Sequence, residues 1–186
     1  ATCVTDNDEI VVAGGREQTN TALSDVWVSS DYGQHWTQRC TNCAWGSRYS
    51  ASIAALPSGR LVLMAGFGVV WYQDVWYSDD TGTTWSKLTD NEPGLRRAHH
   101  ATAWIPGTNT IVLAGGLKGG ALADVYASFD GGLTWQLRTD SPAFGPLVEL
   151  QMVALADGRL VVAGGVPEWD GAFHNITWQS LDMGKT

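Results

Sequence analysis

Four aspartates recur in this chain in one local setting, and repeated carboxylates are the first candidates for acid–base chemistry. Each aspartate lies two residues after a serine and two before a glycine, and in three copies a tryptophan follows the glycine by three positions. Short serine and aspartate side chains also accept hydrogen bonds from backbone N–H groups two residues on and close turns, in which glycine supplies a positive φ. We therefore predict a structural role for these sites, the Ser-Asp-Gly turns, with the tryptophan anchoring the hairpin. Their residues are Ser29, Asp31, Gly33 and Trp36; Ser78, Asp80, Gly82 and Trp85; Ser128, Asp130, Gly132 and Trp135; and Ser180, Asp182 and Gly184.

Two cysteines form a Cys-x-x-Cys pair, Cys40 and Cys43. Such a pair suits redox chemistry, half of a zinc site or a local disulfide. A zinc site needs about four ligands, and no second pair is visible in the sequence. A thioredoxin-type pair opens a helix after a strand, whereas this pair follows a tryptophan-rich strand. We therefore favour a local disulfide or two structural thiols.

Residues 5–9 form a dense acidic turn whose oxygen atoms could hold calcium. The same place in other repeats is a plain hairpin turn, Ser58-Gly59 or Asp157-Gly158. A solvated hairpin turn is therefore the favoured interpretation. We predict no metal site and no cofactor.

The Ser-Asp-Gly turns recur about every 50 residues, which is typical of radial arrays such as propellers. Each repeat has a short alternating segment, a turn, an apolar run that ends in small residues, a loop of variable length and a third strand. Apolar runs such as residues 10–15 and 61–67 predict strands buried on both faces. No helical period appears. The sequence thus predicts an all-β fold: one β-propeller domain or segment of four-stranded antiparallel blades, with repeats at about 1–46, 47–95, 96–145 and 146–186.

The fourth repeat stops before its outer strand, which leaves an open sheet edge that is prone to pairing. We expect either continuation in a longer propeller polypeptide or self-association in which a neighbour supplies a strand.

The charge balance argues against two classes of partner. Nineteen acidic and eleven basic side chains give a net charge of −8, and lysines and arginines do not cluster. Nucleic acid and anionic membrane surfaces are therefore poor partners. No apolar run approaches the roughly 20 residues of a membrane span. The sequence Asn175-Ile176-Thr177 is an N-glycosylation acceptor, which together with the cysteine pair favours an extracellular or cell-surface protein.

Several of these residues resemble known propeller repeats. Arg97-Ala98-His99-His100 looks like the opening of many kelch units, and Arg48 holds the matching place one repeat earlier, whereas the fourth repeat has Leu147 to Leu150 there. The Ser-Asp-Gly turn resembles the Asp-box, or BNR repeat, of sialidases and sortilin-type propellers. The resemblance implies that these boxes lie at the blade periphery, away from an axial site.

Both related families include enzymes. A sialidase-like glycosidase would need an arginine cluster, a tyrosine–glutamate pair and an acid/base aspartate, but the arginines here recur at repeat positions, as scaffold ion pairs do. A kelch-type oxidase needs two histidines on one copper ion, and adjacent residues on a strand, such as His99 and His100, point to opposite faces. A carbohydrate-active enzyme with catalytic residues partly outside this segment stays an alternative.

The loops between the second and third strands are the remaining candidate site, because they differ in length and content. They carry Trp71 and Tyr72 in the second repeat and Trp169 and Asp170 in the fourth. Such rings could stack on sugars or anchor a protein, or they could fill gaps between blades. We predict a non-catalytic extracellular scaffold that contacts protein or glycan partners at this loop rim, and a place in a larger surface assembly is consistent with this role.

Overall fold

A computed structural model describes residues 1–167 and 177–185. The chain divides into two compact units, Ala1–Arg96 and Arg97–Thr186. Within the described residues the single helical element is a 3-10 turn at Pro93–Leu95, so the predicted all-β class is confirmed.

Unit 1 contains two antiparallel four-stranded sheets, in which each strand pairs with its neighbour in the sequence. This up-and-down order is that of a β-propeller blade. The strands are β1 (Thr2–Val4), β2 (Ile10–Arg16), β3 (Ala22–Ser29) and β4 (Thr37–Cys40), then β5 (Ser52–Ala55), β6 (Leu61–Met64), β7 (Val75–Ser78) and β8 (Ser86–Thr89).

Unit 2 repeats this plan. Its first sheet has four strands, and its second has three within the described part of the chain. The strands are β9 (Ala101–Trp104), β10 (Ile111–Ala114), β11 (Val125–Ser128) and β12 (Gln136–Thr139), then β13 (Gln151–Ala154), β14 (Leu160–Ala163) and β15 (Thr177–Ser180).

The apolar runs form the second strand of each sheet and supply much of the core. Strands β6 and β10 are buried along their whole length, as their unbroken apolar sequences predict, whereas β14 alternates buried and half-buried residues. In unit 1, β2, β3 and β6 bury Val11, Val26 and Leu61 in one cluster. In unit 2, β10, β11 and β14 do the same with Val112, Val125 and Leu160.

The small residues after these runs are required by backbone geometry. A Cβ on Gly14 would lie 2.6 Å from the carbonyl oxygen of Arg48, and φ at Gly14 is +55°. Gly115, with φ at +60°, meets the carbonyl oxygen of Leu147 at the same distance. In the second and third sheets, β6 and β10 each end just before two consecutive left-handed residues, which interrupt the extended backbone. Both strands are therefore shorter than their apolar runs suggest.

Candidate functional site

The Ser-Asp-Gly turns share one hydrogen-bond pattern. In all four, the serine Oγ donates to the aspartate Oδ1 at 2.8 Å and accepts the N–H of the glycine at 2.7–2.9 Å. The glycine adopts a positive φ in each turn. The serine bond therefore spans four residues, twice the reach expected from the sequence, because the glycine and the residue before it both adopt a positive φ and widen the turn.

The aspartate of each turn is occupied by donors from its own loop. Asp31 Oδ1 accepts the backbone N–H of His35 at 2.8 Å, and its Oδ2 lies 2.6 Å from His35 Nδ1. In the second and third sheets a threonine replaces this histidine and donates both its N–H and its hydroxyl to Asp80 or Asp130. These carboxylates thus act as acceptors within their hairpins.

The same bonds set the ionisation of the carboxylates. The N–H and ring of His35, with the Ser29 hydroxyl, lower the pKa of Asp31 to about 2. Partial desolvation raises the pKa of Asp80 and of Asp130, but the threonine and serine hydrogen bonds outweigh it and hold each pKa below its ordinary value. A general acid at neutral pH needs the opposite shift. The electrostatics therefore favour a structural role for these three groups.

The tryptophan of the turn is tied to the same glycine. Its indole Nε1 donates to the glycine carbonyl at 3.0–3.1 Å in the first three copies. Trp85 is buried in the core of unit 1, whereas Trp36 is substantially exposed. Each of these tryptophans directly precedes the fourth strand of its sheet rather than starting it.

The recurrent arginines are buried and paired. Arg48 donates to both carboxylate oxygens of Asp74, at 2.8 and 3.2 Å, and to the carbonyl oxygens of Ala65 and Trp45. Arg97 makes the matching bonds to Asp124, at 2.5 and 2.9 Å, and to the carbonyl of Gly115. Both guanidinium groups are therefore committed to the scaffold, as their repetition predicts, and are unsuited to gripping a substrate carboxylate.

The other candidate groups have local partners. Cys40 and Cys43 form a disulfide bond. Residues 5–9 close the β1–β2 hairpin, where the N–H of Thr5 donates to the carbonyl of Glu9. The described residues hold no group of three or more histidine, cysteine or carboxylate side chains that could bind a metal ion. His99 Nδ1 lies 3.4 Å from Glu149 Oε1.

The predicted loop of the second sheet forms a small hairpin with an apolar tip. Phe67 and Trp71 pair as an isolated β-bridge, and Val69 and Val70 at the tip are 92% and 50% exposed. The Phe67 ring contacts Trp71 with centroids 4.7 Å apart and also Tyr49 at 5.6 Å. The structure therefore brings Trp71 into an aromatic row beside an exposed aliphatic tip.

Two further residues border this row. The Arg16 guanidinium lies 4.7 Å from the centroid of the Tyr49 ring. Tyr72, the other predicted contact residue, covers the guanidinium of Arg48 at 3.8 Å. Tyr72 is therefore engaged with the scaffold. Sequence reasoning missed Tyr49 and Phe67; the available signal was that they are aromatic where the third repeat has Ala98 and Leu117.

The third sheet contains the same hairpin with different side chains. The N–H of Gly68 donates to the carbonyl of Val70 at 3.0 Å, and Lys118 donates to Gly120 at the same distance. Leu117 and Ala121 form the bridge made by Phe67 and Trp71 in the second sheet. The tip, Val69-Val70, becomes Gly119-Gly120. The backbone of this loop thus forms without the aromatic row or the aliphatic tip.

The remaining predicted residues, Trp169, Asp170 and the glycosylation candidate Asn175, lie outside the described residues. No protein-family model matches the chain, and no curated protein matches it either. In the described part of the chain, no helix combines the length and the apolar character that crossing a bilayer requires.

Proposed function

We propose that this chain is a non-catalytic binding scaffold whose contact surface is the second-sheet hairpin. The surface consists of Tyr49, Phe67, Val69, Val70 and Trp71, here called the aromatic hairpin. The observation that carries the proposal is the third-sheet hairpin, which keeps the same backbone hydrogen bonds with leucine, glycine and alanine in these places. Side chains that the scaffold does not require, and that expose apolar area, are typical of interaction sites.

A protein partner suits this surface better than a glycan. Sugars stack on exposed ring faces, whereas the rings of Phe67 and Trp71 contact each other at a tilt and are half-buried. The most exposed positions are aliphatic, Val69 and Val70, and they supply apolar contact area without polar donors. Arg16, beside Tyr49, adds a cation at the rim. An apolar centre with a charged rim is the usual anatomy of a protein–protein contact.

The proposal also covers the type of propeller and the cellular location of the protein. The Ser-Asp-Gly turns and the buried arginines favour a propeller of kelch and Asp-box type. The disulfide between Cys40 and Cys43 favours an extracellular or cell-surface location, because cytosolic proteins rarely keep disulfides.

The test is a loop graft that converts four of the five residues of the aromatic hairpin to their third-sheet counterparts and keeps Tyr49. The substitutions are Phe67→Leu, Val69→Gly, Val70→Gly and Trp71→Ala. Gly68 is kept, because a Cβ there would lie 2.2 Å from the carbonyl oxygen of Ser47. Cross-linking and mass spectrometry on native extracellular extract would identify proteins held by the wild type, and a glycan array would be probed in parallel.

We expect the graft to remain folded and to lose the cross-linked protein, and a control variant, Lys118→Asp beside the tip of the third-sheet hairpin, to retain it. Full retention by the graft would exclude the aromatic hairpin as the contact surface. Glycan binding that depends on Trp71 would replace the protein partner with a carbohydrate. Turnover of a glycoside by the purified chain would defeat the non-catalytic assignment.

A further inference from the structure

The backbone of the aromatic hairpin forms three short antiparallel segments in a row. Tyr49 bridges Phe67, and Phe67 bridges Trp71. Tyr49 and Phe67 exchange both of their backbone hydrogen bonds, at 2.8 and 2.9 Å, so the N–H and C=O groups of Phe67 face Tyr49. Whether a further strand can be added on the other side therefore depends on the peptide groups of Trp71.

The peptide groups of Trp71 point away from Phe67. The bridge between these two residues is held by the bonds of their neighbours, which run from the N–H of Gly68 to the carbonyl of Val70 and from the N–H of Tyr72 to the carbonyl of Gly66. In an antiparallel pair of this kind, the two bridged residues turn their own N–H and C=O outward. Within the described residues, the N–H and C=O of Trp71 have no backbone partner. Trp71 thus presents one donor and one acceptor at an open edge.

The same edge is already paired two residues further on. The carbonyl of Gln73 accepts the N–H of Glu92 at 3.1 Å, and the side-chain amide of Gln73 donates to Asn91. The chain itself therefore covers this edge at Gln73 and leaves Val69 to Trp71 open. Backbone pairing along this edge is a geometry that the hairpin already supports.

The outer edges of the sheets carry charges that discourage pairing, whereas this edge does not. The fourth strands of the first three sheets, β4, β8 and β12, lie at sheet edges, and each contains one lysine or arginine. These residues are Arg39, Lys87 and Arg138. Such cations are a common protection of edge strands against further pairing. The edge from Val69 to Trp71 has no charged residue, and its most exposed side chains are the two valines.

We propose that the aromatic hairpin binds its partner by strand addition, in which an extended, uncharged peptide segment pairs with the backbone of Trp71. One residue of the segment accepts the N–H of Trp71 and donates its own N–H to the carbonyl of Trp71, in the antiparallel sense of the existing segments. Its side chain then lies beside the Trp71 ring and continues the aromatic row, so an aromatic or β-branched residue suits this position. A charged side chain there would lose water against apolar neighbours.

This inference rests on the proposed function, because it specifies how the aromatic hairpin recognises a protein. The probe comes from a displayed library of random linear peptides that is panned against the whole chain. Peptides are kept only if they bind the original chain and not the loop graft described above, which selects for contact with the aromatic hairpin.

Backbone substitution in the retained peptides tests the pairing itself. Each amide of a peptide is N-methylated in turn, which removes one N–H at a time. We expect binding to fall by about tenfold or more at one position, where the N–H donates to the carbonyl of Trp71. The positions on either side should tolerate the change, because their N–H groups point away from the edge.

Amide hydrogen exchange locates the contact on the chain. The N–H of Trp71 should exchange about tenfold or more slowly once peptide is bound, because it then has an acceptor. Ala121 holds the matching position in the third-sheet hairpin and is the control, whose exchange should stay the same.

A charge placed on the edge tests why this edge is available. Val70→Lys gives the hairpin a cation like the one that protects β8, and it should abolish peptide binding. The matched control is Gly120→Lys in the third-sheet hairpin, where an added Cβ would meet no atom within 4 Å. This control should bind peptide like the original chain.

The outcomes separate this inference from the proposed function. Peptides that need the aromatic hairpin but tolerate N-methylation at every position, or that leave the exchange of Trp71 unchanged, overturn strand addition and keep the hairpin as a contact surface. If no peptide distinguishes the original chain from the graft, both proposals fall. A concentration-dependent dimer that the graft abolishes would assign the edge to a second copy and overturn the peptide partner.

Discussion

Removing Arg48 is the sharpest perturbation of the scaffold. Its side chain is 0% exposed, and that of Asp74 is 14% exposed. The substitution Arg48→Met keeps much of the buried volume but leaves the Asp74 carboxylate without its cation, with the Trp76 indole as a remaining donor at 2.7 Å. Breaking a buried ion pair from one side costs about 3–5 kcal/mol. For a chain of this size that corresponds to a fall in Tm of about 6–20 °C.

A matched exposed pair provides the control. Arg60 and Asp79 make slightly shorter bonds than Arg48 and Asp74, at 2.7 and 2.9 Å, but their side chains are 36% and 57% exposed. Arg60→Met should therefore cost about 0–1 kcal/mol. Calorimetric and urea unfolding would measure both variants. The double substitution Arg48→Met with Asp74→Asn should recover part of the loss, because the buried charge is then gone.

The fourth repeat shows that the backbone hydrogen bond at this position forms without a guanidinium group. Leu147 stands where Arg48 and Arg97 stand in their repeats, and its carbonyl accepts the N–H of Gly116 at 2.8 Å, as the carbonyl of Arg48 accepts that of Gly15 at 2.9 Å. Arg48→Met should therefore preserve the strand arrangement. An unfolding free energy no lower than that of Arg60→Met would refute this reasoning.

Two further predictions concern local strain and pH. Thr81, with φ at +53°, holds a left-handed position that Gly131 occupies with φ at +73° in the third sheet. Thr81→Gly should therefore stabilise the folded chain by about 0.5–1 kcal/mol, and Gly131→Thr should destabilise it by about 1–2 kcal/mol. Urea unfolding measures both variants, and shifts of the same sign would contradict this reasoning. Desolvation, with the nearby charges of Arg97 and His99, lowers the pKa of His100 to about 3 from its ordinary 6.5. As the pH falls, the imidazole is therefore protonated in the unfolded chain before it is protonated in the folded one. Stability that is present at pH 7 is consequently lost as the pH falls from 6.5 towards 3. The loss between pH 7 and pH 5 should be about 2 kcal/mol, and His100→Gln should flatten that slope; an unchanged slope in the variant would assign it to other groups.

The repeated features were predictable because they depend on local sequence. The period of the Ser-Asp-Gly turns and the apolar runs at β6 and β10 predicted strands in the right order, since turn chemistry and burial pattern act over a few residues. The recurrence of Arg48 and Arg97 likewise predicted ion pairs, although their partners, Asp74 and Asp124, lie 26 and 27 residues away and only the folded sheet brings them together.

The candidate site was only partly predictable. The sequence indicated Trp71 and Tyr72 as loop aromatics, but it could not distinguish their roles. Trp71 packs on Phe67 and Tyr72 packs on Arg48, and both contacts depend on how the hairpin folds back. Tyr49 joins the row from a different loop.

The central claim is that the recurrent carboxylates hold turns and do no acid–base chemistry. Titration of the side-chain carboxyl carbons by NMR measures this directly for Asp31, Asp80 and Asp130. All three pKa values should lie below the ordinary 3.8, with that of Asp31 at about 2. A value raised towards neutrality at any one of them would mark a proton-transferring group and contradict the account.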